Sequence, residues 1–377
     1  MMAEMKKYVG WNFHFNLHQI SLPADKADSY IGELMKMQKT RRTDEKVMES
    51  MVGKVNVIGF VLPATRHFTA RFRTRIIKCR QGDNELDDEE IKDTALWIKF
   101  LTKAKEGVNI NMTVHRPHTG ECTSDACEIG IGGYTEGGIF WRFYLPQNWR
   151  GKLSLNILEY IASIFTVEFE LTDTTHPYPV LSTRLDSTSA DAWMTKSNFN
   201  PDCKIHTECG RHLGSILLEA NACLSSYWIE GVQNPVADSL SRDNHLSNHK
   251  LAYLFSSLYP SQMPSSFRFL EPTPAMISFM TSLVRDSIVN TVYKKYHKTS
   301  TLCTGQIGRN ILNEFDGKAH LFSMDSSSTI NASSLPPFST RFAAAAFRPD
   351  IASAQEQSPK PSLQYRRPSW TGAEMTR

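Results

Sequence analysis

The sequence lacks the features that mark secreted proteins, disulfide scaffolds and membrane proteins. Its seven cysteines form no CxxC pair and no framework spacing, so we expect free thiols in a reducing compartment. The first 17 residues hold no continuous apolar core, and no signal peptide is predicted. The longest largely apolar run, residues 55–62, is too short to cross a bilayer. We therefore expect a protein of the nucleus or cytoplasm that is neither secreted nor held in a membrane.

A strong excess of one charge sign is also missing. The chain has 42 basic and 39 acidic residues, a formal net charge of +3 at pH 7. This mild excess is compatible with a nucleic-acid partner but does not require one. Basic residues do gather between residues 36 and 80, and we interpret them as solvated helix faces. Hydrophobic residues make up 41% of the chain, which is enough for one sizeable core.

The first part of the sequence predicts helices. Residues 21–63 are interpreted as two of them, the second capped by Thr43 with Asp44 and Glu45 in its first turn. Apolar residues then recur at helical spacing, namely Val47, Met51, Val55, Ile58 and Leu62.

From about residue 120 the pattern changes to alternating strands and helices. The glycine-punctuated residues 122–134 and the aromatic-rich residues 139–145 predict strands joined by a hairpin. The elements that follow are a helix, a strand, two helices, a strand and a helix, over residues 154–167, 180–185, 187–196, 212–224, 227–232 and from Asn234 onward. Asn234 is predicted to cap the last helix, with Pro235 at its first position. This order predicts a mixed α/β layer fold.

Two acidic residues lie where strands would bring them to one edge of a sheet. Asp125 is on the first strand, before a glycine-rich stretch that lets backbone or substrate come close. Asp186 directly follows the predicted strand of residues 180–185, and strand ends are favoured site positions in α/β sheets. The alternative interpretations are a surface carboxylate for Asp125 and a helix N-cap for Asp186.

Two more acidic residues belong to predicted helices. Glu159 lies in a helix that is apolar nearly all round, where a carboxylate is costly unless it is paired or bound to metal. Asp238 lies one turn into the helix after Asn234, where the helix dipole steadies an anion. The alternatives are a wet helix edge and an ordinary first-turn acid. Phosphodiester hydrolysis by two metals needs several carboxylates meeting at one point, so the four together predict such a site better than any one alone.

Several short strings resemble a known family. They are Ser124-Asp125-Ala126 with Gly132-Gly133-Tyr134, Asn156-Ile157-Leu158-Glu159, Leu185-Asp186-Ser187, and Asn234-Pro235-Val236-Ala237-Asp238-Ser239-Leu240-Ser241-Arg242. Together they resemble the ribonuclease H domain of retrotransposon polyproteins, and the last string is the most specific. The match is closest to the DIRS-like, tyrosine-recombinase class. In that class the region after the polymerase palm resembles Gly10-Trp11, Ser21-Leu22-Pro23, Lys26 and Gly53-Lys54. The resemblance covers roughly residues 8–280.

The resemblance implies an α/β, ribonuclease H-like mixed sheet flanked by helices, in which Asp125, Glu159, Asp186 and Asp238 bind two Mg²⁺ or Mn²⁺ ions. The implied substrate is the RNA strand of an RNA·DNA hybrid. The aromatic-x-Asp-Asp strand of a polymerase palm is absent from the sequence, so polymerase activity is not expected. Ser187 stands where family members often have Asn, and no His precedes Asp238 in the preceding loop.

The resemblance divides the chain into five parts. Residues 1–80 are a helical remnant of a polymerase thumb or connection region, and residues 81–115 are a linker helix. Residues 116–245 are the ribonuclease H-like domain. Residues 246–321 are a weakly helical extension, and residues 322–377, rich in Ser, Pro and Ala, are predicted to be disordered.

One further cluster joins two types of metal-ligating residue. Cys203, His206, Cys209 and His212 recur every third residue. Continuous spacing of this kind is not a usual zinc pattern, and we interpret the segment as a loop leading into the next helix.

Two alternatives to a nuclease stay open. One is a catalytically inactive, nucleic-acid-binding remnant of a retrotransposon polyprotein. The other is a structural or interaction protein that uses the helical residues 21–63. Cleavage of a labelled RNA·DNA hybrid in Mg²⁺, measured beside binding of the same hybrid in EDTA, separates the three.

Overall fold

A small antiparallel sheet opens the chain. The computed structural model describes residues 5–109, 117–196 and 203–297, all within one compact unit that spans Met1–Cys303. The strands are β1 (Met5–Tyr8), β2 (Trp11–His14), β3 (Gln19–Ser21) and β4 (Val108–Asn109), paired in that order. No sequence pattern predicts this sheet, because strands of two to four residues are too short to display a period of two. The tail predicted to be disordered, residues 322–377, lies outside the described residues.

Four helices share a core with this sheet. They are α1 (Ala24–Thr40), α2 (Glu45–Val61), α3 (Arg66–Arg80) and α4 (Asp88–Glu106). The prediction of two helices in residues 21–63 is confirmed, but the predicted cap of α2 is wrong by one residue. Asp44 is the N-cap, and its side chain accepts a hydrogen bond of 2.9 Å from the backbone N–H of Val47. Both Asp and Thr suit an N-cap, so only the backbone geometry distinguishes the two.

The basic residues of α3 are only partly solvated. Arg75 is 1% exposed, and its Nε donates a hydrogen bond of 2.7 Å to the carboxylate of Glu90, which is itself buried. Glu90 also closes a capping box with Asp87 at the start of α4. The interpretation of the basic cluster as solvated helix faces is therefore wrong for Arg75, because a buried cation is tolerated when a carboxylate pairs with it.

A second, six-stranded sheet organises the rest of the chain. Its strands are β5 (Gly120–Ala126), β6 (Gly130–Thr135), β7 (Ile139–Tyr144), β8 (Val180–Leu185), β9 (Cys223–Trp228) and β10 (Arg268–Leu270), in the spatial order β10-β7-β6-β5-β8-β9. The first three are joined as antiparallel hairpins, and β8, β9 and β10 pair in parallel with β5, β8 and β7. The helices are α5 (Leu155–Asp173), α6 (Thr188–Lys196), α7 (Lys204–Glu219) and α8 (Pro235–Arg242). The predicted element order is confirmed, and so is the predicted α/β fold class, a mixed sheet flanked by helices.

Two element boundaries differ from the prediction. Helix α7 begins at Lys204 instead of residue 212, and β9 covers Cys223–Trp228 instead of residues 227–232. Cys209 lies in the core together with Leu213 and Leu217, so the apolar stripe of α7 starts before residue 212. The segment with alternating cysteines and histidines is thus the start of α7, and its interpretation as a loop is wrong.

Arg211 of α7 ties the two halves of the described chain together. Its Nε donates a hydrogen bond of 2.8 Å to Oδ1 of Asp93 on α4, and Nε of Arg71 on α3 lies 2.6 Å from Oδ2 of the same carboxylate. Asp93 is 1% exposed. A buried carboxylate held by two guanidinium groups fixes the position of α7 against α3 and α4.

Helices α9 (Asn248–Leu258) and α10 (Pro274–His297) complete the described chain. Helix α10 contributes Met276, Met280 and Leu283 to the core that lies against the six-stranded sheet. None of the helices in the described ranges has the length and apolar character that crossing a bilayer requires.

Glycines of β6 let two helices approach the six-stranded sheet from opposite faces. A Cβ at Gly132 would lie 2.8 Å from Cβ of Leu240 on α8, whereas one at Gly133 would collide with Thr166 on α5. Neighbouring residues of a strand point to opposite faces, so α8 packs on one face and α5 on the other. The glycine-rich stretch therefore serves the close approach of the protein's own helices.

Candidate active site

Asp125 and Asp186 lie at the carboxyl ends of neighbouring parallel strands. The last register pair between β5 and β8 is Thr123 with Arg184, and each aspartate lies two residues farther along its strand. Asp125 is 3% exposed, and its Oδ2 accepts a hydrogen bond of 2.5 Å from the hydroxyl of Ser241. Parallel strands end at one edge of a sheet, so the topology alone brings these two carboxylates together.

Helix α8 carries Asp238 to the same edge. As predicted, Asn234 is at the N-cap position and Pro235 at the first helical position, but the Asn234 side chain does not cap the helix. Its Nδ2 instead donates a hydrogen bond of 3.1 Å to the carbonyl oxygen of Ser124, the neighbour of Asp125. This bond and the bond from Ser241 fasten the helix to β5 at both ends. The helix therefore cannot shift along the sheet without breaking one of them.

Glu159 comes from α5, on the face opposite to α8. The Ser163 hydroxyl, one turn later, donates to the carbonyl oxygen of Glu159 at 2.9 Å and lies 3.0 Å from the Ser124 hydroxyl on β5. Oε2 of Glu159 is buried and has no hydrogen-bond partner. A buried carboxylate oxygen without a hydrogen bond destabilises the folded protein. A hydrogen-bond donor or a cation bound at this oxygen would remove that penalty.

Electrostatics link the four carboxylates. Burial raises the pKa of Asp125 to about 7, the Ser241 hydrogen bond opposes the rise, and the charges of Asp186 and Asp238 add to it. Burial is also the main reason that the pKa of Asp186 is raised, and Asp238 adds to it. Burial raises the pKa of Glu159, a hydrogen bond with the Ser187 side chain opposes the rise, and the charge of Asp186 adds to it. The charges of Asp186 and Asp238 thus act on Asp125, the charge of Asp238 acts on Asp186, and the charge of Asp186 acts on Glu159.

Ser187 takes the capping role that was the alternative for Asp186. The Ala190 N–H donates to the Ser187 hydroxyl at 3.3 Å, at the start of α6. The Asp186 side chain is instead paired with that of Asn234. Its carbonyl oxygen accepts a hydrogen bond of 3.0 Å from Nε1 of Trp228 at the end of β9. The Asp186 carboxylate is therefore directed toward the start of α8 and not toward its own helix.

Arg242 is the charged residue of this edge that sequence reasoning missed. Its Nε lies 2.5 Å from Oδ1 of Asp238, one helical turn earlier, and its charge lowers the pKa values of Asp125, Glu159 and Asp186. Burial lowers the pKa of Arg242 itself, but Asp238 and Asp125 raise it by more. The i, i+4 spacing of Asp238 and Arg242 is the signal that could have identified the pair.

The donor chemistry of this edge fits a divalent cation. Carboxylate oxygens are the ligands that Mg²⁺ prefers, and the buried Oε2 of Glu159 lacks a partner. In the part of the chain that the structure describes, no group of three or more His, Cys, Asp or Glu side chains is arranged to hold a metal ion. In the arrangement described, the cation beside these carboxylates is the guanidinium of Arg242.

Comparisons with known proteins add little to this geometry. No protein-family model matches the sequence, and no curated protein matches it. Among solved structures, the chain is similar to the foamy viral protease–reverse transcriptase dRH in complex with double-stranded DNA, with 10% identity and a TM-score of 0.22. The match covers 61% of this chain and 38% of that one. A likeness this weak carries no argument about function, so the case for a function rests on the site itself.

Proposed function

We propose that this chain is a retroelement-derived, ribonuclease H-like endonuclease that hydrolyses the RNA strand of RNA·DNA hybrids with Mg²⁺ or Mn²⁺. The observation that supports the proposal is the position of Asp125 and Asp186 at the carboxyl ends of the neighbouring parallel strands β5 and β8, beside the helix that carries Asp238. Asp125 belongs to β5, Asp186 follows β8 and Asp238 lies on α8. Burial raises the pKa of Asp125 and of Asp186, and the charge of Asp238 adds to both shifts. Burial and repulsion raise the pKa of a carboxylate, and carboxylate oxygens are the ligands that Mg²⁺ prefers.

The proposed roles follow from position. Asp125, Asp186, Asp238 and Glu159 would be the metal ligands, with Glu159 supplying the oxygen that now lacks a partner. Two divalent cations bound to such carboxylates supply an activated water and stabilise the leaving oxygen. Ser241 holds Asp125 through its hydroxyl. Asn234 holds the start of α8 against β5.

A second candidate is a nucleic-acid-binding remnant without catalysis. Arg242 favours it, since the guanidinium supplies a positive charge beside the carboxylates without any metal. In this alternative the carboxylates are a structural ion network. The two candidates differ in what happens when Mg²⁺ is added.

The decisive test is cleavage of an end-labelled RNA·DNA hybrid in Mg²⁺, beside binding of the same hybrid in EDTA. Cleavage confined to the RNA strand supports the nuclease. Binding in EDTA without cleavage in Mg²⁺ or Mn²⁺ supports the remnant. If the hybrid is neither bound nor cleaved, the structural or interaction role is the remaining alternative.

A further inference from the structure

Trp228 is a half-exposed aromatic residue at the edge of the sheet where the carboxylates lie. It is the last residue of β9 and is 50% exposed. Its indole Nε1 donates a hydrogen bond of 3.0 Å to the carbonyl oxygen of Asp186. Tryptophan is highly buried on average in folded proteins, so a ring that is exposed and yet fixed by its only donor needs an explanation.

Within the described part of the chain, Trp228 is not surrounded by the contiguous apolar side chains that form the core of a protein–protein interface. Tyr227, the adjacent exposed aromatic residue, points to the other face of the sheet. Ser226, on the same face of β9 as Trp228, donates a hydrogen bond of 2.6 Å to Asp191 of α6. Trp228 is thus a single aromatic ring with a polar neighbour along its strand. Protein interfaces are instead built around contiguous apolar patches.

The segment that follows Trp228 lies beside the Asp186 carboxylate. A Cβ at Gly231 would lie 3.3 Å from Oδ2 of Asp186, and Asn234 is hydrogen bonded to the same side chain. The indole of Trp228 is hydrogen bonded to the backbone of Asp186, and the turn that contains Gly231 lies against the Asp186 carboxylate. Any group that rests on the exposed indole therefore lies next to Asp186.

We propose that Trp228 is a stacking platform for an unpaired nucleobase beside the strand that is cut at the carboxylates. This inference rests on the proposed function, and it narrows the substrate class. Bases inside a duplex already stack on each other, whereas an unpaired base has a free face that an indole can cover. The platform therefore favours a hybrid with a single-stranded extension over a blunt one. Because every base has an aromatic face, the preference is independent of sequence.

Fluorescence anisotropy in EDTA tests the platform without cleavage. The probes are a labelled blunt RNA·DNA hybrid and the same hybrid with a short single-stranded extension. We expect the intact protein to bind the extended hybrid more tightly, and Trp228→Ala to weaken that binding by about tenfold. The blunt hybrid should bind to the intact protein and to Trp228→Ala with nearly equal affinity. Trp228→Phe, which keeps a ring, should restore most of the preference, and Trp228→Leu, which keeps apolar volume without a ring, should not.

A control variant and a second readout separate this proposal from the nuclease. Tyr253→Ala removes another exposed aromatic side chain, 70% exposed on α9, and should leave both affinities unchanged. If the intact protein shows no preference for the extension, or if Trp228→Leu binds like the intact protein, the platform is wrong even where the hybrid is cleaved in Mg²⁺. If the preference depends on the ring at residue 228 but no cleavage occurs, the platform stands and the nuclease fails.

Discussion

The hydroxyl of Ser241 donates a hydrogen bond of 2.5 Å to Oδ2 of Asp125, across 116 positions of sequence. Asp125 belongs to β5 and Ser241 to the last turn of α8. The bond joins the strand that carries one candidate ligand to the helix that carries another, Asp238. It is therefore both a tertiary contact and a means of holding two carboxylates at a fixed separation.

Removing that hydroxyl should weaken the protein measurably. Ser241→Ala leaves a buried carboxylate with one hydrogen bond fewer, and we expect a loss of about 1.5–3 kcal/mol in the free energy of unfolding. Urea denaturation at about pH 8, above the pKa of Asp125, measures it. Ser239→Ala is a matched control on the same helix, because that hydroxyl donates to Asp243, which is outside the candidate site. Equal stability of Ser241→Ala and the intact protein would show that the bond contributes nothing.

Replacing Arg242 should change how the protein responds to metal. Arg242→Gln removes the positive charge that is paired with Asp238 and that stabilises the ionised Asp125, so the melting temperature in EDTA should fall. Mn²⁺ should then raise the melting temperature of the variant by more than that of the intact protein, because no guanidinium competes for the carboxylates. Arg268→Gln removes an exposed arginine paired with Asp173 and should behave like the intact protein in both buffers. A variant that is as stable as the intact protein in EDTA and gains nothing from Mn²⁺ would contradict this role.

Filling the space at Gly132 should displace α8. In Gly132→Ala the new Cβ would lie 2.8 Å from Cβ of Leu240, so either the helix or the strand has to shift. We expect a loss of about 1–3 kcal/mol in the free energy of unfolding and a weaker response of the melting temperature to Mn²⁺, since Asp238 moves with the helix. Gly53→Ala is the control. It lies in α2 with no atom within 4 Å of the added Cβ, and it should raise stability by about 0.5–1 kcal/mol.

The pH dependence of the free energy of unfolding should reveal the raised pKa of Glu170, a carboxylate outside the candidate active site. Glu170 on α5 is 6% exposed, and burial, reinforced by Asp173 and Glu136, raises its pKa above the ordinary value of 4.5, against a hydrogen bond from Thr135. The folded protein therefore keeps the Glu170 proton to higher pH than the unfolded chain does. The contribution of Glu170 to the free energy of unfolding is greatest below about pH 4 and declines as pH rises through the folded pKa.

Glu170→Gln keeps the shape of the side chain and removes the titration. Urea unfolding should find the variant more stable than the intact protein at neutral pH, with the difference disappearing near pH 4, where both states of the intact protein are protonated. A stability difference that is the same at both pH values would show that burial does not perturb this group.

Much of the second half of the fold can be predicted from sequence because its signals are local. Strand β8 is a run bounded by Pro179 and Asp186, and α8 starts with Asn234-Pro235. Both are recognised from a few adjacent residues. The start of α7 is harder to recognise, since the apolar stripe of Cys209 and Leu213 begins among polar residues.

The features that sequence does not reveal depend on distant contacts. The pairing of Arg75 with Glu90 and the bond from Asn234 to the Ser124 carbonyl depend on how separate elements pack. The place of Arg242 among the carboxylates likewise requires α8 to lie on β6. The four candidate residues could be named from sequence, but the bond from Ser241 to Asp125 and the bond with which Asn234 holds the start of α8 could not be predicted from it.

The most direct test of the proposed nuclease is the cleavage rate of Asp186→Asn. The change removes one charge and keeps the shape of the side chain, so the fold should stand, and loss of one repelling carboxylate should leave the metal-free protein at least as stable. Hybrid binding in EDTA should persist, because it depends on contacts to phosphates. We predict RNA-strand cleavage in Mg²⁺ by the intact protein and a severe loss of it in Asp186→Asn. Equal cleavage by the two proteins, or no effect of Mg²⁺ on the melting of either, would contradict the two-metal site and leave the binding remnant in its place.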